Sequence, residues 1–235
     1  MARRKKKPGS GWLLKLVLLA AVIAGVAAIW LWNEKRNWRP DEDTYPDQGA
    51  LIGEEDENVD FEVLAGLGAS FVYLETSKGA RDKDSGFSDN LIAAREAGLE
   101  VGTVHEFDPC ERADGQSANY VTIVPRDEQL LPPAIRLART ADDCPTRVSD
   151  AAVQSELLTL VNQIEAHAGA PVVLAPSRDF EERYRPAARL ERALWLEGDM
   201  DEPGYAGRPW TVWTANAAHT TQAADTPLRW LVVRP

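Results

Sequence analysis

The pattern of apolar and polar residues divides the chain into one long apolar run and a region of short alternating segments. The run covers residues 12–32 and carries a single charge, Lys15, near its start. About 20 consecutive apolar residues match the hydrocarbon thickness of a bilayer. Tryptophans lie at both ends of the run, where interfacial aromatic residues are common. The pattern therefore predicts one transmembrane helix.

A basic cluster, RRKKK at residues 3–7, precedes this helix. Such clusters remain in the cytoplasm. This predicts a cytoplasmic tail at residues 1–11, an uncleaved signal anchor at 12–32 in the cytoplasmic (inner) membrane, and a following domain that is periplasmic or extracellular. The alternative is a cleaved signal peptide, whose apolar region is usually shorter and ends at small residues. The segment AGVAA at 24–28 is a weak form of such a site.

Beyond a polar segment at residues 33–48, which we interpret as a linker, apolar strands alternate with amphipathic helices. Because this alternation with short joints favours a parallel sheet, we predict an α/β domain over residues 49–235. The expected architecture is a TIM-like (β/α) barrel of eight strands and about five helices, with functional residues where the strands end at the carboxyl face. Strands are predicted at 49–52, 70–76, 100–107, 133–138, 171–176, 192–198, 209–215 and 229–235, and helices at 61–69, 88–99, 115–124, 149–169 and 177–184.

The formal net charge of −11 is unevenly distributed, because residues 1–36 hold eight lysines and arginines and one acid, which leaves 18 bases against 36 acids in the remainder. A domain as acidic as the remainder is a poor candidate for binding nucleic acid. Cys110 and Cys144 can pair in an oxidising compartment or remain two unrelated buried thiols. No cysteine or histidine spacing suggests zinc, and we predict neither a metal nor a cofactor.

The order of the segments resembles glycoside hydrolase family 25, the lysozymes that cleave the glycan strands of peptidoglycan. The resemblance covers about residues 45–235. It implies a barrel of eight strands with about five helices, peptidoglycan as the ligand, and a disulfide between Cys110 and Cys144, which match positions that look paired in some members. Its best segments are FVYLETSKG (71–79), FSDNLIAAREAGLEVGTVHEF (87–107), LPPAIRLA (131–138), PVVLAPSRDFEERY (171–184), LWLEG (194–198) and RPWTVWTA (208–215).

The acids of this family are replaced in the present chain. Glycan hydrolysis normally uses two carboxyl groups, and the family supplies the central pair as Asp-x-Glu at the end of its fourth strand, where this chain has Arg136 and Ala138. The aspartate of the first strand is replaced by Leu51, and the last family aspartate aligns, within a residue or two, with Arg229. Arginine stays protonated and alanine has no proton to give. We therefore expect no catalytic residues and a degenerate, inactive member of the family.

Other candidate site residues lie at the same predicted face of the barrel. His105 matches a family histidine and is interpreted as a packed remnant. Glu106 and Asp199 are fallback acids for a rearranged active site, or solvated acids of the rim. Trp195 and Trp213 either line a sugar groove or pack in the core.

Three functions are compatible with the sequence. The first is a membrane-anchored, inactive lysozyme-like domain that binds peptidoglycan glycan or an envelope protein. The second is an active muramidase with relocated carboxylates such as Glu106 and Asp199. The third is a protein-interaction scaffold, which the acidity of the domain slightly favours because an anionic cell wall does not attract an anionic domain. The sequence leaves the oligomeric state open.

Overall fold

The computed structural model describes residues 11–56 and 58–235, and the chain divides into two units, Met1–Asn37 and Trp38–Pro235. In the first unit, α1 (Gly11–Asn37) is one continuous helix of 27 residues. The helix extends past the predicted end at residue 32 because Glu34, Lys35 and Arg36 are good helix formers. The predicted basic tail lies outside the described residues, apart from Gly11.

Helix α1 is the one described helix that is long and apolar enough to cross a membrane. From Trp12 to Asn37 its mean hydropathy reaches 2.5. Its large apolar side chains are exposed, as expected of a helix whose surroundings are lipid.

The second unit contains nine strands, eight of which close into a barrel. They are ordered β1-β9-β8-β7-β6-β5-β4-β2 around the barrel, and β1 also pairs with β2, which completes the closure. The two-residue strand β3 pairs with the end of β2 outside the barrel. The strands are β1 (Gln48–Ile52), β2 (Ala69–Lys78), β3 (Asp82–Lys83), β4 (Glu100–Glu106), β5 (Ala134–Leu137), β6 (Val173–Pro176), β7 (Ala193–Glu197), β8 (Val212–His219) and β9 (Leu228–Val233).

Strand directions and helices agree with the predicted architecture. The strands from β1 through β2 and β4 to β8 pair in parallel, whereas β9 is antiparallel to both of its neighbours. The eight-stranded barrel with about five substantial helices is thus confirmed. Its helices are α2 (Phe61–Gly66), α3 (Phe87–Glu96), α4 (Ala113–Val121), α5 (Asp150–Ala168), α6 (Arg178–Tyr184) and α7 (Pro186–Arg189), with a 3-10 turn at Ala141–Asp143.

The longest barrel helix, α5, illustrates how local sequence sets the element boundaries. The Ser149 hydroxyl accepts a hydrogen bond from the Ala152 amide, which satisfies one of the free donors at the start of the helix. Gly169 ends the helix with a φ of 71°, in the left-handed region that glycine adopts without strain. Both boundary residues are those that the sequence predicts.

Side chains alternate along each strand between the barrel interior and the layer of helices. In β5, Ile135 and Leu137 pack in the core beneath the helices, whereas Ala134 belongs to the interior cluster and Arg136 follows it on the same side. The arginine therefore stands at the carboxyl mouth of the barrel. The interior cluster consists of Leu51, Phe71, Tyr73, Val104, Ala134, Val173, Trp195, Val212 and Leu231.

Residues 38–47, most of the predicted linker, pack against β8 and β9. The Trp38 ring lies 6.3 Å from the Trp213 ring, and Asn216 Nδ2 donates a hydrogen bond to the Trp38 carbonyl oxygen at 2.7 Å. The Arg39 guanidinium stacks 5.6 Å from the Trp230 ring. No helix occurs in the described connections between β7, β8 and β9. This belt of residues 38–47 therefore covers indoles that a helix would otherwise cover.

Candidate functional site

A cavity of about 460 Å³ opens at the carboxyl face of the barrel, beside the ends of β2, β4 and β5. Parallel strands bring their carboxyl ends to one face of a barrel. Every second side chain of a strand points inward, and the last of these lies beyond the apolar residues of the interior. The cavity is lined by Glu54, Glu55, Glu75, Ser77, Lys78, Asp82, Lys83, Asp84, Val104, Glu106 and Arg136.

Arg136 is the centre of the charged contacts in this cavity. Its Nη1 atom donates a hydrogen bond to Glu75 Oε1 at 2.8 Å and lies 3.8 Å from Glu106 Oε2. Glu75 Oε1 also accepts a hydrogen bond from Arg229 Nη2 at 3.0 Å. Arg136 thus lies between two glutamates, and one of these is shared with a second arginine.

The chain of contacts continues at both ends. Arg229 Nη2 is also 3.0 Å from Glu55 Oε1, and Lys78 Nζ is 2.8 Å from Glu106 Oε1. Acidic and basic groups therefore alternate across the mouth, so that each carboxylate has a cation beside it. We call this set the mouth network; its members are Glu55, Arg229, Glu75, Arg136, Glu106 and Lys78.

Glu75, like Glu55, is an acid of the mouth network that sequence reasoning did not single out. It follows Phe71 and Tyr73 on the inward face of β2, and this alternation is the signal that places it at the mouth. Gly53, in the loop after β1, leaves room for it, because a Cβ at residue 53 would lie 2.6 Å from Glu75 Oε2.

Burial raises the pKa of Glu75 above its ordinary value, and the guanidinium groups of Arg229 and Arg136 oppose this effect only in part. The raised pKa favours the protonated carboxyl more than that of an exposed glutamate does. Glu75 Oε1 and Glu106 Oε2 approach the same Arg136 nitrogen at 2.8 Å and 3.8 Å, so the two oxygens are at most about 7 Å apart, an upper limit that lies above the roughly 5 Å separation of the carboxyl pair in retaining glycosidases.

The four positions at which the sequence analysis predicts replaced family acids differ in their surroundings. Leu51 is buried inside the barrel and is the Cα partner of Arg229 across the β1–β9 ladder. Arg136 joins Arg229 through Glu75, as described above. Ala138 is half-buried beyond the end of β5 and does not line the cavity. The structure therefore brings Arg136 and Arg229 together at the mouth, whereas Leu51 lies in the barrel interior.

His105 is fully buried on the side of β4 that faces α4, where its ring lies 6.1 Å from the Tyr120 ring. Its Nδ1 atom is 2.8 Å from Ser77 Oγ, and its Nε2 atom is 3.4 Å from Gln116 Oε1. Burial lowers the pKa of His105 to about 4. The imidazole is therefore neutral near pH 7 and lies in the core, away from the mouth network.

The two fallback acids are placed differently. Glu106 lines the cavity between Arg136 and Lys78, whereas Asp199 is exposed in the loop after β7 and does not line the cavity. Trp195 is 4% exposed in the interior cluster, and Trp213 is 3% exposed in the layer beneath the helices. Neither indole presents a face to solvent, so the expectation of groove aromatics receives no support from these two residues.

Cys110 and Cys144 form a disulfide, as expected. The disulfide joins the loop after β4 to the end of the 3-10 turn. Beside it, Arg139 Nη2 donates a hydrogen bond to Asp108 Oδ2 at 2.5 Å. Together these contacts fasten two loops next to the mouth. Among residues 11–56 and 58–235, no group of three or more histidine, cysteine, aspartate or glutamate residues is arranged to hold a metal ion.

Comparison with known proteins identifies the family. The sequence model described as "Glycosyl hydrolases family 25" matches residues 52–220. The chain belongs to glycoside hydrolase family 25. A search of curated proteins finds no significant match.

Solved structures support the family 25 fold. A family 25 glycosyl hydrolase from Bacillus anthracis superposes with a TM-score of 0.75 at 21% identity, covering 85% of this chain and 93% of that one. A bacterial lysozyme from Streptomyces coelicolor gives a TM-score of 0.72 at 18% identity, with 80% and 92% covered. A family 25 lysozyme from Aspergillus fumigatus gives 0.66 at 18% identity, with 80% and 94% covered. At these identities the superpositions show the fold alone.

Proposed function

We propose that this protein is a membrane-anchored, exported family 25 domain that binds peptidoglycan glycan without cleaving it. The observation that carries the proposal is the position of Arg136, with its guanidinium between Glu75 and Glu106. The family's central acid pair is replaced at residues 136 and 138, so the group at the centre of the mouth is a permanent cation.

A cation at this position opposes glycan hydrolysis for two reasons. The transition state of the reaction is a cationic sugar, which needs unpaired negative charge nearby. In the mouth network each carboxylate is beside a lysine or arginine, which opposes its negative charge; the other acids that line the cavity are Glu54, Asp82 and Asp84. In addition, the arginine occupies the space between Glu75 and Glu106 and cannot donate a proton at any workable pH.

The proposed location rests on α1 and on the disulfide. An uncleaved helix at residues 12–32 with its basic cluster in the cytoplasm exports the barrel, and a disulfide persists in an oxidising compartment. Glycan is the favoured ligand because the charges of the mouth network are paired, although the domain as a whole is acidic. An envelope protein is the other class of partner that the test below addresses.

The experiment uses the full-length chain in detergent micelles with purified insoluble peptidoglycan. We expect the protein to co-sediment with the peptidoglycan while releasing no reducing ends. Release of reducing ends that disappears in Glu75→Gln or Glu106→Gln would contradict the absence of hydrolysis. Absence of co-sedimentation, together with a specific protein crosslinked in native membranes, would favour the scaffold function.

A second candidate function is favoured by one observation, the proximity of Glu75 and Glu106. A carboxyl group with a raised pKa is suited to act as a general acid, and burial gives Glu75 that property. In this alternative, Glu75 protonates the glycosidic oxygen and Glu106 stabilises the sugar cation after Arg136 moves aside. Hydrolysis with an acidic optimum, lost in Glu75→Gln but retained in Asp199→Asn, would support it.

A further inference from the structure

A second cavity of about 460 Å³ opens at the amino face of the barrel, opposite the mouth network. It is lined by residues in or just outside each of the eight barrel strands, so it lies on the barrel axis. We call it the amino opening; its inward lining is Phe71, Tyr73, Val173, Ala193, Val212 and Val233. Tyr73 lines this opening, whereas Trp195, whose ring is 5.0 Å away, lies on the side of Arg136. The two faces of the barrel therefore have separate cavities.

The amino opening stays open because its inward side chains are short or lie against the wall. The strands β6, β7 and β8 each begin with a valine or an alanine. A Cβ at Gly102 of β4 would lie 2.3 Å from the Tyr73 ring, and a Cβ at Gly49 of β1 would lie 2.8 Å from the Phe71 ring. These glycines let both rings lie against a neighbouring strand and leave the barrel axis free.

Such an opening is unusual for a small barrel, whose interior positions are normally filled by side chains. An unfilled apolar wall loses packing contacts. The volume of the amino opening is within the range of ligand pockets, roughly 300–1,000 Å³. The cavity is therefore large enough for a side chain that another molecule supplies.

The rim of the amino opening is acidic. Asp47, Glu100 and Glu191 are exposed and lie beside β1, β4 and β7, so they are distributed around the opening. Within residues 11–56 and 58–235, none of these three carboxylates forms an ion pair. Arg192, which also lines the opening, is already held by Glu165, with Nε 2.5 Å from Oε1 and Nη2 3.0 Å from Oε2. The opening thus presents an apolar centre inside a ring of uncompensated negative charge.

This combination favours an apolar group that has positive charge beside it. An anionic lipid or an acidic peptide would be repelled by the three carboxylates. A large apolar side chain buries its surface in the cavity, while basic side chains next to it remain hydrated and face the rim. A peptide segment with an apolar residue between lysines or arginines satisfies both conditions.

We propose that the amino opening is a docking site for a basic segment of a partner protein, which inserts one large apolar side chain and places lysine or arginine beside the rim carboxylates. The site lies on the face opposite the mouth network. The inference therefore does not rest on glycan binding, and the two ligands can be bound at the same time.

The test titrates the full-length chain in phosphatidylcholine nanodiscs with end-blocked tripeptides and follows the methyl NMR signals of Val173 and Val212. We expect Lys-Trp-Lys to shift these signals and Glu-Trp-Glu to bind at least tenfold more weakly. Lys-Gly-Lys, which lacks the apolar side chain, should leave the signals unchanged. Equal binding of Lys-Trp-Lys and Glu-Trp-Glu would overturn the proposal, as would the absence of any shift with Lys-Trp-Lys.

A filling variant tests where the indole binds. Ala193→Phe places a ring in the amino opening, and we expect it to weaken binding of Lys-Trp-Lys at least tenfold. The matched control is Ala188→Phe, which adds the same ring at an exposed position of α7 outside the opening and should leave the affinity unchanged. Thr211→Trp, at an exposed position of the rim, replaces Ala193→Phe if that variant has a lowered melting temperature. Unchanged affinity in the filling variant would show that the peptide binds elsewhere.

A charge variant tests the rim. Glu100→Gln with Glu191→Gln should weaken binding of Lys-Trp-Lys about fivefold, since exposed ion pairs contribute modestly. The matched control is Glu96→Gln with Glu182→Gln, which changes the net charge equally at exposed positions outside the opening. Equal weakening by the two pairs would reduce the effect to net charge and contradict a role for the rim.

A lipid acyl chain is the other occupant that the experiment addresses. A second nanodisc sample contains phosphatidylcholine with a spin label near the end of its acyl chain. We expect the methyl signals of Val173 and Val212 to keep their line width in this sample. Broadening of these signals before peptide is added would assign the amino opening to lipid and overturn the proposal.

Discussion

Arg136 and Glu75 form an ion pair of 2.8 Å at the mouth of the barrel, although 61 positions separate them in the chain. One residue ends β5 and the other lies near the end of β2. The pair lines the cavity at the carboxyl face, and it has partners of both signs on either side. Its energetic contribution is directly measurable.

A double-mutant cycle with Arg136→Met and Glu75→Gln measures this contribution. Both side chains are about three-quarters buried, but Arg229 also pairs with Glu75 and shares the interaction. We therefore expect a coupling of about 1 kcal/mol in the free energy of unfolding. Urea denaturation of the four proteins measures it. A coupling indistinguishable from zero would contradict a stabilising role for the pair.

The stability of the barrel should depend on pH through His105. Burial lowers the pKa of the folded-state imidazole to about 4, below the value of about 6.5 in an unfolded chain. Between these values only the unfolded chain binds the proton, so the free energy of unfolding rises with pH. The contribution is fully present above about pH 6.5 and is lost as the pH falls toward 4.

The measurement compares the free energy of unfolding of the wild type and His105→Asn from pH 4 to pH 7. The difference between the two proteins should change by up to about 3 kcal/mol over this range. Since the asparagine side chain of the variant does not titrate, the comparison cancels the effects of the carboxyl groups. Parallel pH profiles would show that the imidazole does not titrate as its burial requires.

Removal of the disulfide should destabilise the barrel. Cys110 and Cys144 are 34 positions apart, and closing a loop of this length destabilises the unfolded chain by about 4 kcal/mol. We expect Cys110→Ser with Cys144→Ser to lower the free energy of unfolding by that amount. A reducing agent should lower the melting temperature of the wild type but leave that of the double variant unchanged.

The belt of residues 38–47 should be required for barrel stability. Trp38 is half-buried against Trp213, so Trp38→Ala is expected to lower the free energy of unfolding by about 2 kcal/mol. The matched control is Trp32→Ala in α1, which should leave unfolding of the barrel unchanged. Equal effects of the two variants would show that the belt contributes no specific packing.

Local patterns predict most of the elements because their causes are local. Alternation of apolar residues identifies the barrel strands, and the cap Ser149 and stop Gly169 identify the boundaries of α5. Departures arise where a neighbour extends an element: β2 continues to Lys78 because β3 pairs with its end. Residues 38–47 are polar, and this predicts a linker. In the structure they pack against the indoles of Trp213 in β8 and Trp230 in β9.

By itself, the sequence determines the apolar helix and the barrel class, because these depend on composition and periodicity. The replacement of family acids at Arg136 and Ala138 stays a prediction from the resemblance. Only the tertiary structure decides that Arg136 meets Glu75, that Arg229 joins them, and that Trp195 and Trp213 lie on opposite sides of the barrel wall. Such contacts depend on strand order and barrel closure. Periodicity along one strand carries no information about which distant strand lies beside it.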